Sequence, residues 1–276
     1  MNIAIVTDST ADIPEALCQT LDIHVVPNIL VIDGQSHEDG KGITREVFYE
    51  MLPAMHSFPT TATASIGAYQ DLYRRLIENG APQVISLHAS SLLSGIFNAA
   101  WAAGEAFKTK VRVIDSEMVS LGLGFQVLEA ARSRLKSLDV DNILAKVIDL
   151  RRRTRLVAML DTLDYVRRSG RVSWARAQLG NLLNIKPFVE VYAGKVRRLG
   201  EARTRRKGFE LLKGYIRRLG ALESLAMLHT NAEAEARQIL EELEPDLVFP
   251  PLVVNVTTII GAHVGPKGVG FAAVIR

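Results

Sequence analysis

Short apolar segments alternate with helical patterns in the first half of this chain, and this order restricts the fold more than any other feature. Segments 2–6, 83–88 and 111–114 are short and rich in aliphatic residues, as buried strands are. Segment 23–32 has the same character and predicts one further strand. Helical periodicity fills the intervals between these segments. A strand–helix order of this kind predicts a Rossmann-like α/β domain, in which helices cover both faces of a parallel sheet.

The second half of the chain has a different pattern. Segments 186–192 and 195–199 are strand-like and are separated only by Ala193-Gly194, a two-residue hairpin signal. A helix is predicted near 204–219. Segments 225–228 and 247–254 predict two further strands, with another helix between them. Antiparallel pairs combined with helices predict a second α/β domain, with a mixed or antiparallel sheet.

The change of pattern sets the expected domain boundary. We expect an N-terminal α/β domain over residues 1–155 and a C-terminal α/β domain over residues 156–276. The final strand, near 268–275, can join either sheet. A chain of 276 residues is long enough for two domains of this size.

Composition limits the class of protein. Hydrophobic residues make up 48% and charged residues 23%, which is the balance of a globular chain. The sequence contains no apolar run of the roughly 18–20 residues that a membrane-spanning helix needs, and its first residues lack the basic start of a signal peptide. The single cysteine, Cys18, excludes an internal disulfide, and no Cys/His spacing suggests a zinc site. We expect a cytoplasmic protein without a bound metal and without stable membrane insertion.

Positive charge is concentrated in the middle of the chain. Residues 151–218 include 19 Lys and Arg but only 5 Asp and Glu, although the net charge of the whole chain is only +3. This segment is either a set of solvated helix faces or a surface for an acidic or phosphate-bearing partner. Nucleic acid is not the expected partner, since aromatic residues make up only 6% and no zinc-finger or RNP-type motif is present.

Several motifs of enzymes and nucleotide-binding proteins are absent from the sequence. It contains no GxxxxGK[ST] phosphate loop, no GxSxG nucleophile elbow and no HExxH pair. Gly122-Leu-Gly124 begins like a dinucleotide loop but lacks the third glycine. The chain therefore has no recognisable device for binding ATP or a dinucleotide, and we expect no cofactor.

Hydroxyl side chains are concentrated in three loops that follow strands of the predicted parallel sheet. Ligands of such sheets bind beyond the carboxyl ends of the strands, so these loops are expected to converge. Each loop also precedes a helix, whose N-terminal N–H groups attract anions. The pattern favours a small carboxylate or phosphate group as ligand, but Ser and Thr at these positions are also common helix caps. The first loop contains Thr7, Ser9 and Thr10; the second contains Thr60, Thr61, Thr63 and Ser65; and the third contains Ser90, Ser91 and Ser94, followed by Gly95.

Two residues of the second half are further candidates. His263 lies in a glycine-rich turn, between Gly261 and Gly265, where its side chain must project. Arg171 follows Ser169 and Gly170 at the end of a predicted helix, so it can satisfy the last carbonyls of that helix or reach an anion. From the residues alone, the chain is an anion-binding α/β protein of two domains.

The same residues resemble the DegV family, the bacterial fatty-acid-binding proteins that act as acyl-carrier subunits of fatty acid kinase. The resemblance covers essentially the whole chain, with the motifs in the order of the family. These motifs are Ile5-Val6-Thr7-Asp8-Ser9, Thr61-Ala62-Thr63-Ala64-Ser65, Ser90-Ser91-Leu92-Leu93-Ser94-Gly95, Asp115-Ser116 with Ser120-Leu-Gly122-Leu-Gly124, Ser169-Gly170-Arg171 and Gly261-Ala-His263-Val-Gly265-Pro266.

The resemblance implies a long-chain fatty acid buried between or within two domains. It implies that Thr61 and Ser94 hold the carboxylate, with the Gly95 amide nearby. His263 and Arg171 resemble the family residues tied to the head group and to phosphoryl transfer by the partner kinase. Ser9, Thr63, Ser65, Ser91 and Ser120 are implied less directly, as neighbours of the head group.

The expected function is therefore that of a carrier without independent catalysis. It binds a long-chain fatty acid and presents the carboxylate to the catalytic subunit of fatty acid kinase, which phosphorylates it to an acyl-phosphate with ATP. Two alternatives stay open. The chain is a stand-alone hydrolase or transferase that uses Ser94 and His263, or it is a lipid-sensing regulatory protein.

Overall fold

A computed structural model describes residues 3–172 and 185–276, which form strands and helices in close alternation. The strands are β1 (Ala4–Asp8), β2 (Ile23–Val26), β3 (Ile29–Ile32), β4 (Gln35–Glu38), β5 (Thr60–Ala62), β6 (Val84–His88), β7 (Val111–Asp115), β8 (Thr154–Met159), β9 (Lys186–Tyr192), β10 (Lys195–Ala202), β11 (Leu222–His229), β12 (Leu252–Asn255) and β13 (Val269–Ile275). The helices are α1 (Glu15–Thr20), α2 (Arg45–Met51), α3 (Ile66–Glu78), α4 (Ile96–Gly104), α5 (Ser120–Leu135), α6 (Val140–Arg153), α7 (Asp164–Ser169), α8 (Arg205–Arg218), α9 (Glu233–Leu243) and α10 (Thr258–Val264). Short 3₁₀ helices cover Ser9–Ala11, Leu52–Ala54 and Glu105–Lys110.

The first compact unit is built on a parallel sheet with the strand order β2-β1-β6-β7. β1 and β6 lie at the centre and are buried along their whole length, as their continuous apolar sequences require. Tyr69 and Tyr73 of α3 are fully buried and pack in the same core as Val6 and Val84. The predicted Rossmann-like sheet is confirmed.

The second compact unit contains a six-stranded sheet with the order β10-β9-β8-β13-β11-β12. β13 is antiparallel to both of its neighbours, β8 and β11, whereas β11 and β12 are parallel. The predicted mixed sheet is therefore confirmed. Its core includes Met159, Phe188, Leu212 and Phe271, each at most 1% exposed.

The predicted hairpin is also present. Ala193 and Gly194 separate β9 from β10, and both have positive φ values, 47° and 75°. Positive φ at both central residues is the signature of a type I′ turn, which matches the twist of the flanking strands.

Each compact unit is made of separate stretches of chain. Within the described residues, the first unit comprises 3–29, 61–153 and 193–195, and the second comprises 30–60, 154–172, 185–192 and 196–276. A division into 1–155 and 156–276 treats each domain as contiguous, whereas the packing groups Leu30–Thr60 with the second unit. The reason is visible in long-range contacts: Tyr49 of α2, for example, donates a hydrogen bond to the carbonyl oxygen of Val256, 2.9 Å away.

Two strand predictions require correction. The predicted strand 23–32 is two strands, β2 and β3, which belong to different sheets. Pro27 lies between them and has no N–H to continue a sheet ladder. The predicted strand 247–254 is reduced to β12, because Pro250 and Pro251 interrupt its first half in the same way.

Candidate functional site

The second and third hydroxyl loops come together within the first unit. Thr63 follows β5, and Gly95 is the N-cap of α4. A Cβ atom placed on Gly95 would lie 3.6 Å from the side-chain methyl of Thr63, so the two loops are in van der Waals range. Thr61 is half-buried and lies in β5, two residues before Thr63. The arrangement brings hydroxyl groups to the N-terminus of a nine-residue helix.

Ser94 has a hydroxyl group whose proton is available for donation. Its Oγ accepts a hydrogen bond from the Ile96 amide at 3.3 Å, and its own amide donates to the Ser90 carbonyl at 3.1 Å. The first of these bonds uses a lone pair of the hydroxyl group and leaves its O–H free to point elsewhere. A neutral donor at a helix N-terminus suits a carboxylate ligand.

Two of the less directly implied serines are engaged in local hydrogen bonds. Ser65 is the N-cap of α3, where its Oγ accepts from the Ala68 amide at 3.1 Å. Ser91 donates from both its amide (3.2 Å) and its hydroxyl (2.5 Å) to one carboxylate oxygen of Asp115. These bonds order the loops that carry Thr63 and Ser94.

Ser9 and Ser120 also have partners inside the first unit. Ser9 Oγ accepts from the amide and the side-chain nitrogen of Asn28, at 3.2 and 3.3 Å. Ser120 Oγ donates to Asp12 Oδ2 at 2.6 Å, and Ser120 has a positive φ of 49°. Their geometry is that of residues that shape the loops.

His263 and Arg171 come together in the second unit. His263 was predicted to lie in a glycine-rich turn, but it lies in the last turn of the helix α10, which includes Gly261. Arg171 follows the left-handed Gly170 that ends α7. Burial, and to a lesser extent the positive charge of Arg171, lower the pKa of His263 to about 4. His263 is therefore neutral at pH 7, able to donate one hydrogen bond and accept another, beside a permanently charged guanidinium.

The Arg171 side chain also has a local partner. Its Nη1 donates to the Ser169 carbonyl at 2.7 Å, so it does satisfy an end carbonyl of α7. The side chain is exposed overall, and a single bond leaves most of its five donors for other groups.

The turn after His263 is fixed by polar contacts. Gly268 N donates to Thr230 Oγ1 and Lys267 N donates to the Thr230 carbonyl, both at 2.6 Å. Arg205 Nη1 donates to the Lys267 carbonyl at 2.7 Å. At Gly265 the backbone has a positive φ of 79°, and a Cβ there would overlap the ring of Tyr165. These contacts order the residues that follow α10.

A buried polar chain beneath the first-unit loops was not predicted from the sequence. His88 Nδ1 lies 3.0 Å from Asp8 Oδ2, His88 Nε2 lies 2.6 Å from Ser86 Oγ, and Ser86 Oγ lies 2.8 Å from the hydroxyl of Tyr73. All four side chains are fully buried. The order Asp–His–Ser is that of a catalytic triad, but the hydroxyl of Ser86 is buried and not accessible to a substrate. This hydrogen-bonded series of side chains therefore has a structural role.

Asp8 connects the first loop to the third. Its Oδ1 accepts from Thr10 Oγ1 at 2.5 Å, and its Oδ2 accepts from the Ala89 amide at 3.2 Å, where the Ser-rich loop begins. Burial alone would raise the pKa of Asp8, but the hydrogen bond and charge of His88, together with the bonds from Thr10, hold it below its ordinary value. No local pattern could have revealed this contact, because Asp8 and His88 are 80 residues apart.

The basic segment 151–218 does not form one free surface. Arg205 is bound on both sides: it makes two hydrogen bonds to the Glu235 carboxylate, at 2.7 and 2.9 Å, and one to Asp161 at 3.2 Å. In contrast, the neighbouring Arg206 and Lys207 are exposed. Residues 173–184 of the segment lie outside the described part of the chain.

Two kinds of feature are absent from residues 3–172 and 185–276: a cluster of side chains that could hold a metal ion, and a helix that could span a membrane. No group of three or more His, Cys, Asp or Glu side chains there is arranged to hold a metal ion. None of the helices described above has the length and apolar character needed to cross a bilayer.

Comparison with known proteins gives one consistent result. The DegV family profile matches residues 2–276. A DegV domain-containing protein, TTE1491 of Caldanaerobacter subterraneus, is 33% identical over 273 residues, which is 97% of each chain. A DegV domain-containing protein of Deinococcus radiodurans is 33% identical and covers 99% of this chain and 98% of its own length.

Two solved structures are similar over the whole length. The fatty-acid-binding DegV family protein of Thermus thermophilus superposes with a TM-score of 0.90 at 32% identity, with 100% of both chains covered. DegV of Bacillus subtilis, described as a fatty acid binding protein, superposes with a TM-score of 0.86 at 31% identity, again with 100% of both chains covered.

Proposed function

Because the chain belongs to the DegV family, we propose that it binds one long-chain fatty acid and presents the carboxylate to a partner kinase subunit. In that reaction a carboxylate oxygen attacks the γ-phosphorus of ATP, an acyl O–P bond forms, and the bond to the departing ADP oxygen breaks. The protein acts as a carrier in the cytoplasm and supplies no catalysis of its own.

The observation that carries this proposal is the meeting of the Thr63 and Gly95 loops beside Ser94. Ser94 offers an O–H donor at the N-terminus of α4, where N–H groups and the helix dipole favour a negative charge. The full-length similarity to DegV proteins described as fatty-acid-binding, at 31–32% identity, supports a fatty acid as that anion. We assign the carboxylate to Thr61, Ser94 and the Gly95 amide.

The energetics fit a ligand held by its tail. Burying about 15 methylene groups at roughly 0.8 kcal/mol each contributes on the order of 12 kcal/mol before the ordering costs. A hydrogen bond to a charged carboxylate contributes only about 1.5–3 kcal/mol. The hydroxyl groups therefore orient the head group, while the apolar tail supplies most of the affinity.

We assign the step after binding to the second-unit pair. A neutral His263 can hold or accept a hydrogen bond without forming an ion pair with the carboxylate, and Arg171 provides a cation for the incoming phosphoryl group. Supply of ATP by the partner agrees with the absence of a phosphate-loop motif in this sequence.

The experiment that tests the proposal is native mass spectrometry of the purified chain, followed by solvent extraction of any bound lipid. We expect one long-chain fatty acid per chain, or uptake of added palmitate or oleate at that ratio. Ser94→Ala should weaken oleate binding by about tenfold or more, whereas the exposed Ser57→Ala serves as a matched control. A protein that is empty and takes up neither acid contradicts the proposal. Turnover of an acyl ester by the purified chain alone would instead favour the hydrolase that uses Ser94 and His263.

The exposed part of the basic segment is the surface we assign to the kinase. Arg206 and Lys207 are exposed cations whose side chains take part in none of the contacts described above, whereas Arg205 is ion-paired with Glu235. Charge reversal at both positions should lower acyl-phosphate formation and its salt sensitivity without releasing the lipid. Lys146→Glu, an exposed reversal outside the segment, is the control. Equal turnover in all three proteins across a range of salt concentrations would refute this assignment.

A further inference from the structure

A buried carboxylate lies at the N-terminal end of the helix that carries His263. Asp39 is 9% exposed, and each of its two oxygens accepts a hydrogen bond from a threonine. Thr258 Oγ1 donates to Asp39 Oδ1 at 2.7 Å, and Thr257 Oγ1 donates to Asp39 Oδ2. Both threonines are at most 1% exposed. Thr257 is the N-cap of α10 and Thr258 its first residue, so Asp39 holds the start of the helix.

The same end of α10 is fixed by α2. The hydroxyl of Tyr49 donates to the Val256 carbonyl at 2.9 Å, and its ring packs directly against Gly261. A Cβ atom on Gly261 would overlap that ring. Asp39 and Tyr49 both come from Leu30–Thr60, the stretch that the packing assigns to the second unit. This stretch therefore holds the N-terminal part of α10 in place.

The direction of the His263 side chain depends on these contacts of Asp39 and Tyr49 with α10. α10 has seven residues and His263 is its sixth, so a tilt at the first turn moves the imidazole directly. A helix of this length has little stability of its own and takes its position from its contacts. Hydrogen bonds to a carboxylate are the stronger kind, and two of them converge on Asp39.

We propose that Asp39 is a positioning residue, which fixes α10 through Thr257 and Thr258 and thereby sets the place of His263. The inference rests on the proposed function in so far as His263 acts on the fatty acid head group. Asp39 does not itself touch the reacting atoms.

The test compares Asp39→Asn with Asp33→Asn in the full-length protein. The second variant removes the same charge from an exposed turn of the same stretch of chain. The first readout is the NMR titration of the His263 side chain. Burial and the Arg171 charge together give this side chain a pKa of about 4, and a displaced, better solvated imidazole should titrate closer to the ordinary value of about 6.5. The second readout is acyl-phosphate formation with the partner kinase, which should fall by about 100-fold because ångström-scale misplacement costs that much.

Thr258→Val keeps the volume of the side chain and removes one of the two hydrogen bonds. We expect it to change both readouts in the same direction as Asp39→Asn but less, and it replaces that variant if Asp39→Asn does not fold. Bound lipid should be retained in each case, since the apolar tail supplies most of the affinity.

The outcomes separate the two proposals. A lower melting temperature with an unchanged His263 titration would make Asp39 a structural residue only and overturn the inference. If the wild-type chain gives no acyl-phosphate at all, the proposed function fails, while the titration still decides whether Asp39 sets the surroundings of His263.

Discussion

Acid should destabilise this protein through His263. Burial and the nearby Arg171 charge hold the pKa of this residue at about 4 in the folded chain, whereas an unfolded histidine titrates near 6.5. Between these values the unfolded state binds more protons than the folded state. The stabilising contribution of neutral His263 is therefore complete above about pH 6.5 and is lost as the pH falls toward 4.

The size of the effect follows from the two pKa values. At pH 5 nearly all unfolded chains carry the proton on this histidine, but only about a tenth of the folded chains do. The linkage relation converts this difference into about 2 kcal/mol of unfolding free energy lost between pH 8 and pH 5, and about 3 kcal/mol once the pH is below 4.

Urea unfolding followed by circular dichroism at pH 7.5 and pH 5.0 measures this loss. We expect wild type to lose about 2 kcal/mol more than His263→Gln over this interval. His56→Gln, at an exposed site, should behave as wild type. The half-buried His24 and the buried His229 are present in all three proteins, so their contributions cancel from the comparison. Parallel losses in wild type and His263→Gln, within about 0.5 kcal/mol, would refute the assignment of a buried neutral imidazole.

Three further substitutions test the packing described above. Ser86→Ala removes the hydroxyl that connects His88 to the end of the buried polar chain, and should lower the unfolding free energy by about 1–3 kcal/mol in a denaturant titration; an unchanged midpoint would contradict the role of that chain. Gly270→Ala should lower the melting temperature and the yield of folded protein, because its Cβ would come within 2.6 Å of a carbonyl oxygen on β8; a wild-type melting curve would show that the two strands can move apart. Arg205→Gln removes the two hydrogen bonds to the Glu235 carboxylate and should lower the unfolding free energy by about 1–3 kcal/mol in the same titration. Loss of kinase activity without loss of stability would instead place this arginine at the docking surface.

Local signals in the sequence predicted the elements that depend on neighbouring residues. Ser65 caps α3 through the amide three residues on, and Ala193-Gly194 forms the predicted hairpin turn. Both features arise from the backbone preferences of a few consecutive residues. The parallel order of the first sheet follows from the alternation of strands and helices, which is also a local pattern.

Contacts between distant parts of the chain were not predictable in the same way. His88 meets Asp8 across 80 residues, and Thr258 meets Asp39 across 219. Neither pair has a spacing that marks it, because the partners become neighbours only after the sheets form. Of the candidate site, the sequence indicated which loops carry hydroxyl groups, whereas the residues that fix those loops and α10 required the structure.

The place of β13 has a consequence for synthesis on the ribosome. Both of its neighbours, β8 and β11, are translated before it, and it lies between them in the sheet. Until residues 269–275 leave the exit tunnel, the sheet exists as two fragments, each with a bare edge where β13 will pair. Such edges are templates for pairing with other chains. Translation that stalls before this strand should therefore yield a nascent chain that aggregates or needs a chaperone, although most of its sequence has already been made.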